Sequence, residues 1–311
     1  MLQPDAAEQA GHAAAEGAAG AFNAGEMIIG HVSNGPHPLI ALPRIFGIDF
    51  SVTKHVLMLW IAATVLFVIV TATVRRFLRQ ERPVPSRFMT VLEIIVEFVR
   101  ESIVEPNVGH KWSKAWTPTI LTIGLFVLTA NLVGIFPIFD VLGLANHVIR
   151  PGEESFLANV VHGGPTATGN FNVTGALATI TFFLIIIAGT RAHGFVQHWK
   201  NLVPGGVPKV LYPLLIPIEI IGMFVRPFAL MARLAANMTG GHIAMLAIIS
   251  FVFIFARQFS AAVGIGVGAL LSVPLAVGVA ALEAVVVVPV QAYVFTLLTA
   301  VFIGMAIHAH H

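Results

Sequence analysis

Four polar side chains recur at regular intervals inside one of the most apolar stretches of the chain. They are Glu219, Arg226, Arg233 and Asn237, spaced by seven, seven and four residues. On an α-helix this spacing places all four within about 40° of one another, over roughly 27 Å of helix. Because an arginine at the centre of a bilayer costs roughly 2.5–3.5 kcal/mol, we expect this face to contact protein or water rather than lipid.

Two kinds of chemistry fit this polar face. In the structural alternative, Arg226 pairs with Glu219 two turns away, and Arg233 extends to a membrane interface. In the functional alternative, the face belongs to an ion pathway or presents a charge to a mobile partner charge. We favour the second, since ionisable side chains inside membranes are functional candidates by default. The chain offers Arg233 no nearby carboxylate on its own helix, so we expect its partner to come from elsewhere.

A second apolar run contains Glu283 and Gln291. A carboxyl group in such a run does not readily face lipid. Glu283 therefore either contributes to the same pathway or is a protonated, hydrogen-bonded residue of the core. Gln291 alone is weaker evidence, because a glutamine can simply hydrogen-bond two membrane helices together.

The class of protein that holds these residues follows from composition. Of 311 residues, 57% are hydrophobic and 10% are charged, whereas soluble domains average about 25% charged. The long apolar stretches therefore predict an all-α, polytopic membrane protein. The chain has no cysteine, which excludes disulfides, thiolate catalysis and cysteine-based metal sites. Its basic residues form no aromatic-interleaved surface of the kind that binds nucleic acid.

Five membrane crossings are predicted from hydropathy. The last two apolar regions have about 46 residues each, or about 70 Å if helical, although a bilayer core needs only about 20 residues. Each is either a hairpin of two spans or one long tilted helix. Since no polar break divides either region, we favour two long, steeply tilted helices that form a hairpin. The five predicted spans are residues 52–74, 116–139, 170–190, 210–256 and 261–307.

One further helix is predicted over residues 86–106, between the first two spans. Its apolar residues recur at helical spacing, and its polar side carries Glu93, Glu97, Arg100 and Glu101. This pattern is typical of an amphipathic helix on a membrane surface. The arginine-rich segment just before it, residues 75–87, places that surface on the cytoplasmic side.

The same charge rule orients the whole chain. It puts the N-terminus outside and, after five crossings, the C-terminus in the cytoplasm. Residues 1–50 are rich in alanine and glycine, and we expect them to form a flexible extracytoplasmic extension. Residues 51–311 are expected to form a single integral membrane domain.

Several segments together resemble a known family. "RPFALMARLAANMTGGH" and the downstream "QAYVFTLLTAVFIGMA" resemble subunit a of the rotary F-type ATP synthases, as do "ANLVGIFP" and "PTATGNFNVTGALA". The likeness extends from about residue 50 to residue 306. It implies a proton-translocating stator subunit of a bacterial inner membrane that is not catalytic alone and needs no cofactor or metal. The implied partners are a ring of c subunits, b-type peripheral stalk subunits and the rest of the synthase, with protons or Na⁺ as the ion.

The resemblance also implies roles for individual residues. Arg233 matches the essential charge that faces the c-ring carboxylates and separates two offset half-channels. His242 and Glu283 resemble an inlet pair, and a histidine with a pKa near 6.5 is suited to relaying protons. Six further residues are predicted to lie on the proton path or in the channel vestibules. They are Glu219, Arg226, Asn237, Gln291, Asn131 and Asp140.

Two departures from the family pattern bear on the inlet. Glu283 and Gln291 are eight residues apart rather than the familiar seven. On a regular helix, eight residues rotate Glu283 about 80° away from Gln291, unless Pro289 or a one-residue bulge restores the alignment. In addition, "TGNF" replaces a compact acidic motif, so Asp140 and His147 are candidates to supply polar groups in the vestibule.

Two other classes of membrane protein fit the sequence less well. A self-contained transporter or channel would often carry inverted repeats with paired broken helices, and the chain shows no internal repeat. An intramembrane hydrolase needs a metal-binding or nucleophile motif. The chain has neither an H-x-x-x-H pair on a helix nor a G-x-S-x-G motif.

Overall fold

The computed structural model describes residues 40, 42–45, 48–49, 51–80, 84–135, 167–201, 208–260, 262 and 264–308. Five of its helical segments are long and apolar enough to cross a membrane, as predicted. The helices, in chain order, are α1 (Lys54–Leu78), α2 (Arg87–Phe98), α3 (Glu105–Val108), α4 (His110–Ile135), α5 (Phe171–His193), α6 (Phe195–Lys200), α7 (Tyr212–Gln258), α8 (Ala269–Leu282) and α9 (Val288–Ile307). The chain is an all-α integral membrane protein.

The amphipathic helix is present as predicted and is capped by a serine. Ser86 accepts a hydrogen bond from the Met89 backbone N–H at 3.3 Å, which satisfies one of the free donors at the start of α2. A π-helical segment, Val99–Val104, joins α2 to α3. Gly109 then adopts a φ of 84° and turns the chain into α4, a backbone conformation that glycine tolerates best.

The last two apolar regions form two long helices, as predicted. Helix α7 has 47 residues and runs through "NMTGGH" without a break, so it is about 70 Å long against a bilayer core of about 30 Å. The second region is continuously helical from Gly266 to Ile307, because a π-helical segment, Glu283–Val287, joins α8 to α9. The two long helices pack as a hairpin.

The buried core lies where α4, α5, α7 and α9 meet. One cluster of buried residues gathers around Leu234, Met238 and Phe295, and another around Ile103, Ile120 and Ile303. Small residues allow the helices to approach closely. A side chain at Gly124 would collide with Thr296, and one at Gly304 would collide with the Asn107 carbonyl.

Short ordered structures flank the helices. Arg44–Ile45 and Ile48–Asp49 pair as a two-stranded antiparallel ladder, which the sequence did not predict. At the start of α5, the Asn170 side chain accepts a hydrogen bond from the Asn172 backbone N–H at 2.8 Å, the capping role expected for a loop asparagine. Most of the N-terminal extension, together with Asp140 and His147, lies outside the described residues.

Candidate functional site

Helix α7 has two faces of different character at its middle. Leu234, Ala235 and Met238 are completely or almost completely buried against the other helices. The opposite face is exposed and carries Arg233, Ala236, Asn237 and Gly240. Two of these four exposed residues are small, so this face is a shallow surface with one cation and one amide on it.

Arg226 and Glu219 lie on the same face, two turns and four turns before Arg233. The Arg226 Nη2 atom donates a hydrogen bond to Glu219 Oε1 at 2.9 Å, and both side chains are half-buried. The structure therefore contains the Arg226–Glu219 ion pair that the structural alternative predicted. Each of the two charged groups satisfies the other within one helix.

Arg233 differs from Arg226 in this respect. It makes no hydrogen bond or ion pair with any residue that the structure describes. Arg233 is exposed, although it lies within a segment long and apolar enough to span a membrane. A guanidinium group in such a position requires water or an opposite charge from outside the described residues.

His242 and Glu283 meet on the buried side of α7. The His242 Nδ1 atom lies 3.9 Å from Glu283 Oε1, and the two side chains are 6% and 4% exposed. His242 is nine residues beyond Arg233, which is about 180° around the helix. The histidine therefore turns away from the exposed face and toward the carboxyl group of the neighbouring helix.

Gly241 makes this approach possible. A Cβ atom on Gly241 would lie 2.5 Å from Glu283 Oε1 and 2.7 Å from its Cδ. These distances are shorter than van der Waals contact, so any larger residue would displace the carboxyl group. The second glycine of "TGGH" is thus part of the Glu283 site, and the sequence alone did not indicate this.

The eight-residue interval between Glu283 and Gln291 is accommodated by the π-helical segment Glu283–Val287. A π-helical turn absorbs about one extra residue. The interval is then geometrically close to seven residues, or two turns less about 20°. Both side chains consequently line the same cavity.

That cavity has a volume of about 480 Å³ and lies between α7 and the helical segment that includes α8 and the start of α9. It extends from the exposed face of α7 to the buried carboxyl group. Most of its wall is apolar, with three polar side chains in it. The lining residues are Ala236, Asn237, Gly240, Gly241, Val279, Leu282, Glu283, Val286, Val287, Val290 and Gln291.

A model of the ATP synthase A chain family matches residues 56–304. The chain belongs to this family. It is 37% identical to ATP synthase subunit a 2 of Chlorobium luteolum and 36% identical to ATP synthase subunit a of Chlorobium phaeobacteroides, over 98% of this chain and 80% of each relative. It is also 35% identical to ATP synthase subunit a of Chloroherpeton thalassium, over 89% of this chain and 73% of the relative.

In this member of the A chain family, Asn131 lies apart from the cavity. It is completely buried in α4, and its Oδ1 accepts a hydrogen bond from the Thr168 hydroxyl at 2.6 Å. Thr168 belongs to the 3₁₀ turn Ala167–Gly169. The carbonyl of Gly169 accepts a hydrogen bond from Thr239 of α7 at 3.1 Å. The sequence indicated neither threonine, because these contacts span 37 and 70 residues.

Proposed function

We propose that the chain is the proton-translocating stator subunit of a rotary ATP synthase. The observation that carries this proposal is Arg233, an exposed cation on a shallow face of α7, without a partner among the described residues. Family membership supports it, since the matching relatives are ATP synthase subunits a. The partner that fits the face is a helix of the c-ring that carries a carboxylate.

The small residues beside Arg233 support this geometry. Ala236 is exposed one turn after the arginine, and a Cβ atom on Gly240 would meet nothing within 4 Å. A partner helix can therefore approach α7 closely, as small residues generally permit in membranes. At short distance and away from bulk water, the guanidinium attracts a deprotonated ring carboxylate strongly.

The cation also separates two aqueous half-channels. A proton crossing the membrane directly would have to pass the positive charge of Arg233, which is unfavourable in a low-dielectric environment. Protons instead neutralise a ring carboxylate on one side, travel with the rotating ring, and leave on the other side. Each charge that moves through 100 mV releases about 2.3 kcal/mol, which drives rotation and ATP synthesis.

We assign the two half-channels to the two halves of α7, one after Arg233 and one before it. His242 and Glu283, together with the cavity that Asn237, Glu283 and Gln291 line, form the inlet from the extracytoplasmic side. Glu219 and Arg226 lie toward the start of α7 and line the cytoplasmic outlet. The exposed Asn237 amide is polar without a net charge, so it can hydrogen-bond a ring site without competing with the arginine.

The remaining features of the proposal concern the assembly. The chain binds the c-ring and b-type stalk subunits, has no catalytic activity alone, and transports protons without a cofactor. Its bacterial relatives support a location in the bacterial plasma membrane. The basic segment after α1 supports an N-terminus outside and a C-terminus in the cytoplasm.

The test is Arg233→Ala in the assembled synthase, in membrane vesicles. We expect the variant to assemble, and to lose both ATP-driven proton pumping and proton-driven ATP synthesis. Arg76→Ala is the matched control, because Arg76 is also an exposed arginine but lies in the last turn of α1. Normal coupling in Arg233→Ala would overturn the proposal. Isolation of the chain without any small ring-forming subunit would favour a self-contained transporter.

A further inference from the structure

A short series of buried and part-buried polar contacts links α4 to α7. The Thr168 hydroxyl donates to Asn131 Oδ1 at 2.6 Å, and both residues are completely buried. One residue later, the Gly169 carbonyl accepts a hydrogen bond from the Thr239 hydroxyl at 3.1 Å. The 3₁₀ turn Ala167–Gly169 is therefore held on one side by α4 and on the other by α7.

Thr239 and His242 lie on neighbouring sides of α7. They are three residues apart, which is about 60° around the helix and about 4.5 Å along it. The hydrogen bond from Thr239 to Gly169 thus acts close to the histidine. It opposes any rotation of α7 about its axis, and such a rotation would change the 3.9 Å separation between His242 and Glu283.

Packing alone does not account for these contacts. Burying a hydroxyl or amide group costs free energy unless it is hydrogen-bonded, and apolar side chains of similar size fill the same space without that cost. The Asn131 Nδ2 atom is also buried without a hydrogen-bond partner among the described residues. Such a group is normally satisfied by a bound water molecule, so the series has a donor available for water at its α4 end.

We propose that Thr168 and Thr239 are positioning residues for the His242–Glu283 pair. The 3₁₀ turn sets the rotation of α7 through Thr239, and Thr168 sets the position of the turn through Asn131. The two threonines act through His242 and do not themselves exchange protons. This inference rests on the proposed function, since it concerns the inlet of the same stator subunit.

The experiment compares Thr168→Val, Thr239→Val and Thr239→Ser with the wild type in the assembled synthase. Valine removes the hydroxyl and keeps the shape, whereas serine keeps the hydroxyl. Thr181→Val is the matched control, because Thr181 is completely buried in α5 and, among the described residues, its hydroxyl bonds only to Leu177 of its own helix. The measured quantity is the initial rate of proton-driven ATP synthesis against the external pH.

We expect each valine variant to lower the rate about twofold to tenfold, the range expected for losing one hydrogen bond. The external pH that gives half the maximal rate should shift in both, since the geometry of the titrating pair changes. Thr239→Ser should restore both quantities, and Thr181→Val should change neither.

Two results would overturn the inference. One is a wild-type rate and pH midpoint in Thr239→Val. The other is an equal loss of rate in Thr239→Val and Thr239→Ser, which would indicate that the residue acts through packing alone. Either result is distinguishable from failure of the proposed function, because Arg233→Ala would still abolish coupling in the same vesicles. Assembly is checked for every variant by the amount of subunit retained in the purified synthase.

Discussion

The exposed and buried faces of α7 place their ionisable groups in opposite environments. On the exposed face, Arg233 has no partner within the described part of the chain. On the buried face, His242 lies 3.9 Å from Glu283, and a glycine makes room for the carboxyl group. One helix thus presents a permanent charge outward and a titratable pair inward.

This difference indicates that the two faces of one helix have different roles. A guanidinium stays protonated at all physiological pH values, so it can attract or repel a charge but cannot relay a proton. A histidine can gain or lose a proton near neutral pH, and the carboxyl group beside it is a second titratable group. Arg233 is therefore suited to an electrostatic contact with another subunit, and the His242–Glu283 pair to proton transfer.

Arg233→Lys tests the exposed face and should have a larger effect than Gly241→Ala or His198→Gln. Lysine keeps the charge but loses the planar guanidinium with its several donors. We expect a loss of more than about tenfold in proton-driven ATP synthesis, which corresponds to about 1.4 kcal/mol or more. The rate is measured in vesicles containing equal amounts of assembled synthase. A wild-type rate would mean that charge alone is sufficient at this position.

Gly241→Ala tests the buried face with a smaller change. The added methyl group would lie 2.5 Å from Glu283 Oε1, so the carboxyl group must move. We expect proton-driven ATP synthesis to fall about twofold to tenfold, the range of about 0.5–1.5 kcal/mol for one disturbed polar contact. Gly278→Ala on α8 is the control, since a Cβ atom there meets nothing within 4 Å. Equal rates in the two variants would contradict the role of Gly241.

His198 is a buried histidine with no carboxyl partner among the described residues, and it can be compared with His242. It lies in α6, outside the candidate membrane spans, and its Nε2 atom has no hydrogen-bond partner among the described residues. Burial lowers the pKa of His198 below its ordinary value, and the nearby His193 lowers it further. The folded state therefore favours the neutral imidazole.

The consequence is a small dependence of stability on pH. Because the pKa is lower in the folded state, the unfolded chain binds the proton more readily. This contribution to stability is complete above pH of about 6.5 and decreases as the pH falls below that value. We expect the thermal midpoint of the purified synthase to fall less between pH 7.5 and 5.5 in His198→Gln than in the wild type. An identical decrease would contradict the assignment.

Much of the fold follows from the sequence for simple physical reasons. Apolar length alone predicts the crossings, because a bilayer core requires about 20 apolar residues in a helix. The 47-residue α7 was also predictable, since no polar break interrupts it and isolated prolines are tolerated in membrane helices. The ladder of Arg44–Ile45 with Ile48–Asp49 was not, because two-residue strands leave almost no pattern.

The candidate site also has features that the sequence predicts and features that it does not. The common face of Glu219, Arg226 and Arg233 follows from their seven-residue intervals, since helical periodicity is local. The π-helical segment at Glu283 was only one of two possible explanations for an eight-residue interval. The contact between Gly241 and Glu283 depends on how α7 packs against the segment that carries Glu283, and no local sequence pattern indicates this packing.

The central claim is that the exposed face of α7 meets the c-ring, and cysteine cross-linking tests it most directly. The chain contains no cysteine, so each introduced thiol is unique within it.

The experiment compares Ala236→Cys with Ala235→Cys. Ala236 lies on the exposed face, whereas its neighbour Ala235 is completely buried on the opposite side. Each variant is combined with a cysteine next to the carboxylate of the c subunit, and the assembled synthase is oxidised. We predict a disulfide between the subunits with Ala236→Cys and none with Ala235→Cys. Cross-linking through residue 235 but not 236, or through neither, would contradict the claim.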